Sequence, residues 1–150
     1  MKLRSLTFRS FLTAGLIIGL VPVVSAADPV NERIEGFKES KRSIARIEDA
    51  IQKGDALTVS DQARLLAIFA EKIPSLYPED AKGGFFSKAK GQIWESFPDF
   101  SQKANSFQVS SQQLEASARA DNVDIGVLTQ RLRAVQDSCV SCHRQYKKGR

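Results

Sequence analysis

Apolar residues recur along most of the chain at intervals of three and four, the period that puts them on one face of an α-helix. No segment shows the strict alternation of a half-buried strand. Val30, Ile34, Phe37, Ile44, Ile47 and Ile51 mark a first helix, with Asp28 as cap, Pro29 in the first turn, Lys41 as a polar interruption and Gly54 as the stop. A second helix is predicted to begin near Thr58 or Ser60 and to bury Leu66, Phe69, Ile73 and Leu76. Pro74 should kink or tighten its last turn, and Pro78 ends it. Glu79 to Gly84 reads as a loop, with Gly83-Gly84 its most flexible point. A third stripe runs through Ile93, Phe97, Phe100, Ala104, Phe107, Leu114 and Ala118, with Ser111 polar within it and Pro98 near the helix start or at a kink. Asp121-Asn122 makes a turn and Asp124 caps a fourth helix. Four amphipathic helices with short connections predict an all-α, antiparallel up-down-up-down four-helix bundle. No internal repeat, low-complexity tract or second-domain boundary interrupts it.

The head of the chain departs from this pattern. Lys2, Arg4 and Arg9 surround the start of an apolar run from Phe11 to Val24, followed by the small residues Ser25, Ala26 and Ala27. This is the layout of a secretory signal peptide. Val24 and Ala26 suit the small pockets of a signal peptidase, which places the cut after Ala26 and divides the chain into a removable segment, 1–26, and a mature domain, 27–150. The run is broken by Gly15, Gly19 and Pro22 and is shorter than the roughly 20 residues of a spanning helix, so it reads as cleaved rather than as an anchor. The expected location is a bacterial periplasm, with no membrane association after cleavage. Loss of the segment lowers the formal charge from +5 to +2. That balance excludes a dedicated nucleic-acid binder, which needs a concentrated basic face.

The fourth helix carries the chemistry. Its ladder is Leu128, Leu132, Val135, Cys139, Cys142 and Tyr146, so both cysteines take core-facing positions, and His143 lies about one turn beyond Cys139. Cys139-Val140-Ser141-Cys142-His143 is the attachment signature of a c-type haem, with two thiols for the macrocycle edge and an imidazole for its iron. Three other readings compete. A structural zinc site wants four protein ligands, whereas the chain has two cysteines and one histidine. A thioredoxin-like dithiol normally opens a helix, where the dipole lowers a thiol pKa, and this pair sits near a helix end. A disulfide would suit an exported protein but would close a tiny loop and leave His143 without a role.

An exported four-helix chain with this motif near its C-terminus resembles the cytochrome c′ family, over essentially all of the mature chain. The likeness extends to Asp28-Pro29-Val30 with Arg33, Phe37 and Lys38, to Ala50-Ile51-Gln52-Lys53-Gly54-Asp55, to Ile73-Pro74 with Leu76-Tyr77-Pro78, to Ile93-Trp94 with Phe100, and to Tyr146. The resemblance implies one covalent haem c, with Cys139 and Cys142 as thioether cysteines and His143 as proximal iron ligand. It also implies that Arg33 lies near the haem propionates and that Phe37 faces the distal side of the iron. Relatives carry an apolar residue or a methionine at that distal position: methionine goes with low-spin electron carriers, its absence with five-coordinate, gas-binding haems. A homodimer is implied too. One departure is Lys147, where many relatives have arginine; the charge is kept and the planar fork lost.

Composition bears on what the resemblance leaves open. The one methionine is Met1 and the one histidine is His143, so neither Met/His nor bis-His ligation can form within a mature monomer. A phenyl ring has no lone pair to give, so the sixth position should be vacant or weakly filled. An apolar distal wall offers little to bound dioxygen or peroxide, whereas NO and CO depend less on hydrogen-bond donors. Expected functions are reversible NO or CO binding and one-electron exchange with a periplasmic redox partner. The alternatives are a six-coordinate low-spin cytochrome with a non-Met ligand, such as Lys38 or Lys41 at high pH, and a haem-free dithiol oxidoreductase. No paired acid and base or assisted nucleophile points to a turnover enzyme. Plainer readings stand beside each residue: Arg33 as a solvated side chain, Phe37 and Tyr146 as core, Trp94 as packing, and Arg144, Lys147, Lys148 and Arg150 as partners of the helix dipole.

Overall fold

The computed structural model describes residues 28–84 and 87–149. The predicted signal segment, 1–26, and Arg150 lie outside the described residues. Helices α1 (Pro29–Lys53), α2 (Ala56–Lys72), α4 (Phe97–Ala118) and α5 (Ile125–Tyr146) form an all-helical, antiparallel four-helix bundle, with a short α3 (Gln92–Glu95) leading into α4. No helix among the described residues is long and apolar enough to cross a membrane.

Local chemistry sets the helix ends. Asp28 accepts a hydrogen bond from Val30 N at 2.9 Å, with Pro29 in the first turn of α1. Gly54 closes α1 in the left-handed region at φ 70°, where its N–H reaches the Ala50 and Ile51 carbonyls. Helix α2 starts at Ala56, ahead of the expected Thr58 or Ser60. Asp55 supplies the cap, accepting from Thr58 N at 3.0 Å and Thr58 Oγ1 at 2.6 Å, while Ser60 is buried and accepts from Arg119 Nε at 2.7 Å. Pro74 tightens the end of α2 into a 3-10 turn, Ile73–Leu76, as its missing N–H requires. The third apolar stripe divides into two helices at Ser96, and Pro98 sits in the first turn of α4, the one place in a helix where proline costs nothing. Asp124 opens α5 by accepting from Gly126 N at 2.7 Å and Val127 N at 3.2 Å.

Ile47, Leu66, Ile93, Leu114, Leu128 and Val135 are almost wholly buried and form the centre of the core. Each such side chain contributes about 1.5–3 kcal/mol relative to exposure. Ser111, the polar break in the α4 stripe, is buried but satisfied, because its hydroxyl donates back to the Phe107 carbonyl at 2.9 Å.

The packing is uneven in a way that matters for the site. Helices α1 and α2, α2 and α4, and α4 and α5 pack closely, whereas α1 and α5 approach each other at few places. The connection from α2 to α3 closes one end of this open seam. It is fastened to the end of α5 by Lys90 N to Tyr146 O (3.0 Å), by Lys148 N to Lys88 O (2.7 Å) and by an antiparallel bridge between Ala89 and Lys147. Trp94 Nε1 donates to the Tyr77 and Pro78 carbonyls at 3.0 and 3.1 Å, locking α3 onto the same connection.

Candidate functional site

The seam between α1 and α5 opens into a cavity of about 820 Å³, within the roughly 300–1,000 Å³ of cofactor-sized sites. Cys139, Cys142, His143, Arg33 and Phe37, the five residues singled out as site residues, all line it. The three-residue spacing of the cysteines turns both thiols inward, half-buried, while the intervening Val140 and Ser141 are exposed. Phe37 reaches in from α1 and faces the His143 ring, with ring centroids 6.0 Å apart. Hydrocarbon dominates the remaining wall, notably Ile44, Ile73, Phe100, Ala104, Phe107 and Tyr146.

Burial controls the ionisation of these groups. It pushes the Cys142 thiol up to about 11, with nearby Lys103 pulling the other way, and raises Cys139 as well. Neither is the activated thiolate of a dithiol oxidoreductase, whose nucleophile is shifted downward. His143 is held below its usual range by burial and then by the Lys147 charge, which leaves a neutral imidazole with a lone pair to give at neutral pH. Among the described residues, no group of three or more His, Cys, Asp and Glu side chains is placed to hold a metal ion.

Arg33 is not the solvated side chain of the plainer reading; it is 3% exposed. Nη1 donates to Leu76 O at 2.9 Å and Ala81 O at 2.8 Å, and Nη2 to Lys82 O at 3.2 Å and Ser87 Oγ at 3.5 Å. Its guanidinium stacks over the Tyr77 ring at 4.4 Å. Arg33 therefore anchors the connection that walls the cavity, and its terminal nitrogens are engaged there. Tyr146 is buried and donates to Asp99 Oδ2 at 2.6 Å, and burial together with that carboxylate pushes its phenol up to about 12. Trp94 does not line the cavity; it packs on Tyr77 and its indole N–H is engaged by the connection. The cations Arg33, Lys38, Lys41, Lys88, Lys103 and Lys147 line the cavity, and no Asp or Glu does so among the described residues.

Tyr77, Ser87 and Lys103 are site residues that sequence reasoning did not single out as such. They come from the connection and from α4, and only the closure of the fold carries them to the seam. No local spacing signals it.

The family model described as Cytochrome C′ matches residues 28–147. The chain belongs to the cytochrome c′ family. Members are electron-transfer or gas-binding haem proteins rather than turnover enzymes, and their cofactor is one covalently attached c-type haem. The cytochrome c′ of Rhodospirillum rubrum is 26% identical over 135 residues, covering 83% of this chain and 87% of that protein. A cytochrome c-556 of Agrobacterium fabrum is 28% identical over 142 residues, covering 91% and 93%. Among solved structures, the cytochrome c′ of Shewanella frigidimarina superposes with a TM-score of 0.71 at 25% identity, covering 82% and 96%. A nitric oxide complex of the L16I mutant of the Alcaligenes xylosoxidans cytochrome c′ does so with 0.70 at 24% identity, covering 83% and 100%. The cavity fits the family's cofactor: two thiols and an imidazole share one wall, hydrocarbon makes the other, and the volume suits a large planar group.

Proposed function

We propose that this cytochrome c′ family protein is exported to the periplasm, loses residues 1–26, and carries its haem in the seam between α1 and α5. Cys139 and Cys142 provide the thioether links and His143 the proximal ligand. Arg33 supports the haem edge through the connection it anchors. Phe37 stands on the distal side, where its phenyl ring offers no ligand and sterically limits what approaches. When bound, the haem supplies an iron that cycles between ferrous and ferric states and holds one further small ligand.

The observation that carries this reading is that one largely hydrocarbon-lined cavity takes in both the α5 motif and Phe37 of α1, whose ring neighbours that of His143. Because the mature chain has neither methionine nor a second histidine, and a lysine such as Lys38 or Lys41 must first lose its proton to bind iron, a haem held here would keep its distal position open at neutral pH and would bind NO or CO reversibly. The nitric oxide complex among the structural relatives fits that use. Electron exchange rests on a different feature, the lining lysines Lys41, Lys88, Lys103 and Lys147, with no Asp or Glu lining the cavity among the described residues, which favours an anionic redox partner.

The test is an optical spectrum of protein expressed with a haem-attachment apparatus. High-spin bands that change rapidly when CO meets the reduced form are expected. A low-spin spectrum indifferent to CO would refute the open site, and a polypeptide of unmodified mass would refute haem attachment. The same mass measurement checks cleavage after Ala26.

A further inference from the structure

Phe69 lies on α2, half-buried, and does not line the cavity. It nevertheless meets the cavity's distal wall edge-on: the Phe69 and Phe37 ring centroids are 5.1 Å apart at an interplanar angle of 89°. What lets Phe69 come so close is the residue before Phe37. A Cβ on Gly36 would stand 2.0 Å from Phe69 Cε2 and 2.5 Å from its Cζ, so the ring occupies the volume that any other side chain at position 36 would need. Four residues thus form a relay. The notch at Gly36 seats Phe69, Phe69 braces Phe37, and Phe37 faces His143.

A helical phenylalanine chooses between two χ1 wells, and a neighbour packed against one edge biases that choice. We propose that Phe69, seated in the Gly36 notch, is a positioning residue that holds the Phe37 ring across the distal face of the haem and so sets how fast a diatomic ligand reaches the iron. This rests on the assignment of Phe37 to the distal side made above. An edge-to-face aromatic contact changes the balance between two ring positions by about two- to tenfold. Loss of the brace raises the fraction of time for which Phe37 stands aside, and ligand entry accelerates by the same factor.

The experiment measures CO association by flash photolysis of the reduced, haem-loaded protein, with covalent haem content and melting temperature recorded for every variant. Phe69→Leu, with Phe69→Ile as a second aliphatic replacement should the first fold poorly, is expected to speed association by about two- to tenfold. Phe69→Tyr keeps the ring and leaves the rate within about twofold of the wild type. Phe37→Ala speeds association on its own, and adding Phe69→Leu to it brings no further change, which is the mark of action through Phe37. The proposal fails if Phe37→Ala alters the rate and Phe69→Leu does not, or if Phe69→Leu accelerates equally in both backgrounds. A rate indifferent to Phe37→Ala removes the distal assignment itself and the relay with it. A purely structural role would lower the melting temperature of the Phe69 variants without moving the CO rate, and that result also overturns the proposal.

Discussion

Replacing Arg33 with leucine removes the guanidinium and keeps an apolar side chain against Tyr77. Four acceptors then lose their donor: Leu76 O, Ala81 O, Lys82 O and Ser87 Oγ. Bonds to a charged donor contribute about 1.5–3 kcal/mol each where they are buried. The carbonyls of Ala81 and Lys82 are only partly enclosed and recover water, so most of the loss falls on the buried Leu76 bond, with smaller shares from the others. A total of about 3 kcal/mol follows, which lowers the melting temperature of a domain of this size by about 10 °C. Lysine at position 33 does not restore it, since an ammonium cannot reproduce the fork that spans Leu76, Ala81 and Lys82. Thermal unfolding of the haem-loaded protein by circular dichroism checks the magnitude, and limited proteolysis shows whether cleavage near Gly83-Gly84 quickens. An Arg33→Leu variant melting within about 2 °C of the wild type would mean that the four bonds contribute almost nothing net, and the anchoring argument would be wrong.

Three other outcomes follow from the same physics. Gly36→Ala should lower stability: the helix-propensity gain of about 1 kcal/mol is outweighed by displacing Phe69 from a tight site, an overpacking cost of about 1–3 kcal/mol, and a raised melting temperature would contradict it. Asp55 is held below its usual range by the Thr58 hydroxyl and then by the Thr58 amide, so its stabilisation is present above the unfolded-state pKa near 3.8 and is lost as pH falls through the lower folded-state value. Asp55→Ala should therefore destabilise at neutral pH, and its difference from the wild type should shrink once the Asp55 carboxyl is protonated, as parallel melts across pH would show. Electron transfer to hexacyanoferrate(III) should slow as salt is added, and Lys88→Glu with Lys103→Glu should weaken that dependence; stopped-flow rates unchanged by salt would remove the case for an anionic partner.

The parts of the molecule that were readable along the chain are those decided within a turn or two of helix. The caps at Asp28 and Asp124, the stop at Gly54 and the tightening at Pro74 are local hydrogen-bond and steric events, and the phase of Leu128, Leu132, Val135 and Cys139 turns the motif inward without reference to any other helix. Helix α2 begins early because Asp55 competes with Thr58 as cap and prevails by accepting from both its amide and its hydroxyl. For Arg33 only the plainer reading, a solvated side chain near a helix start, fails, because the carbonyls that bind it lie more than forty residues away. Phe69 reads as a core position, and nothing along the chain marks Gly36. Their relation exists only where two helices cross.

The seam between α1 and α5 also bears on how the molecule comes into being. With the haem placed as proposed, a bundle with three zipped interfaces and one hydrocarbon-lined cleft would obtain its last interface from the prosthetic group, which would serve as mortar as well as cargo. Melting temperature and susceptibility to proteases should consequently track the extent of maturation, so that chains that miss the attachment step are cleared while completed ones persist.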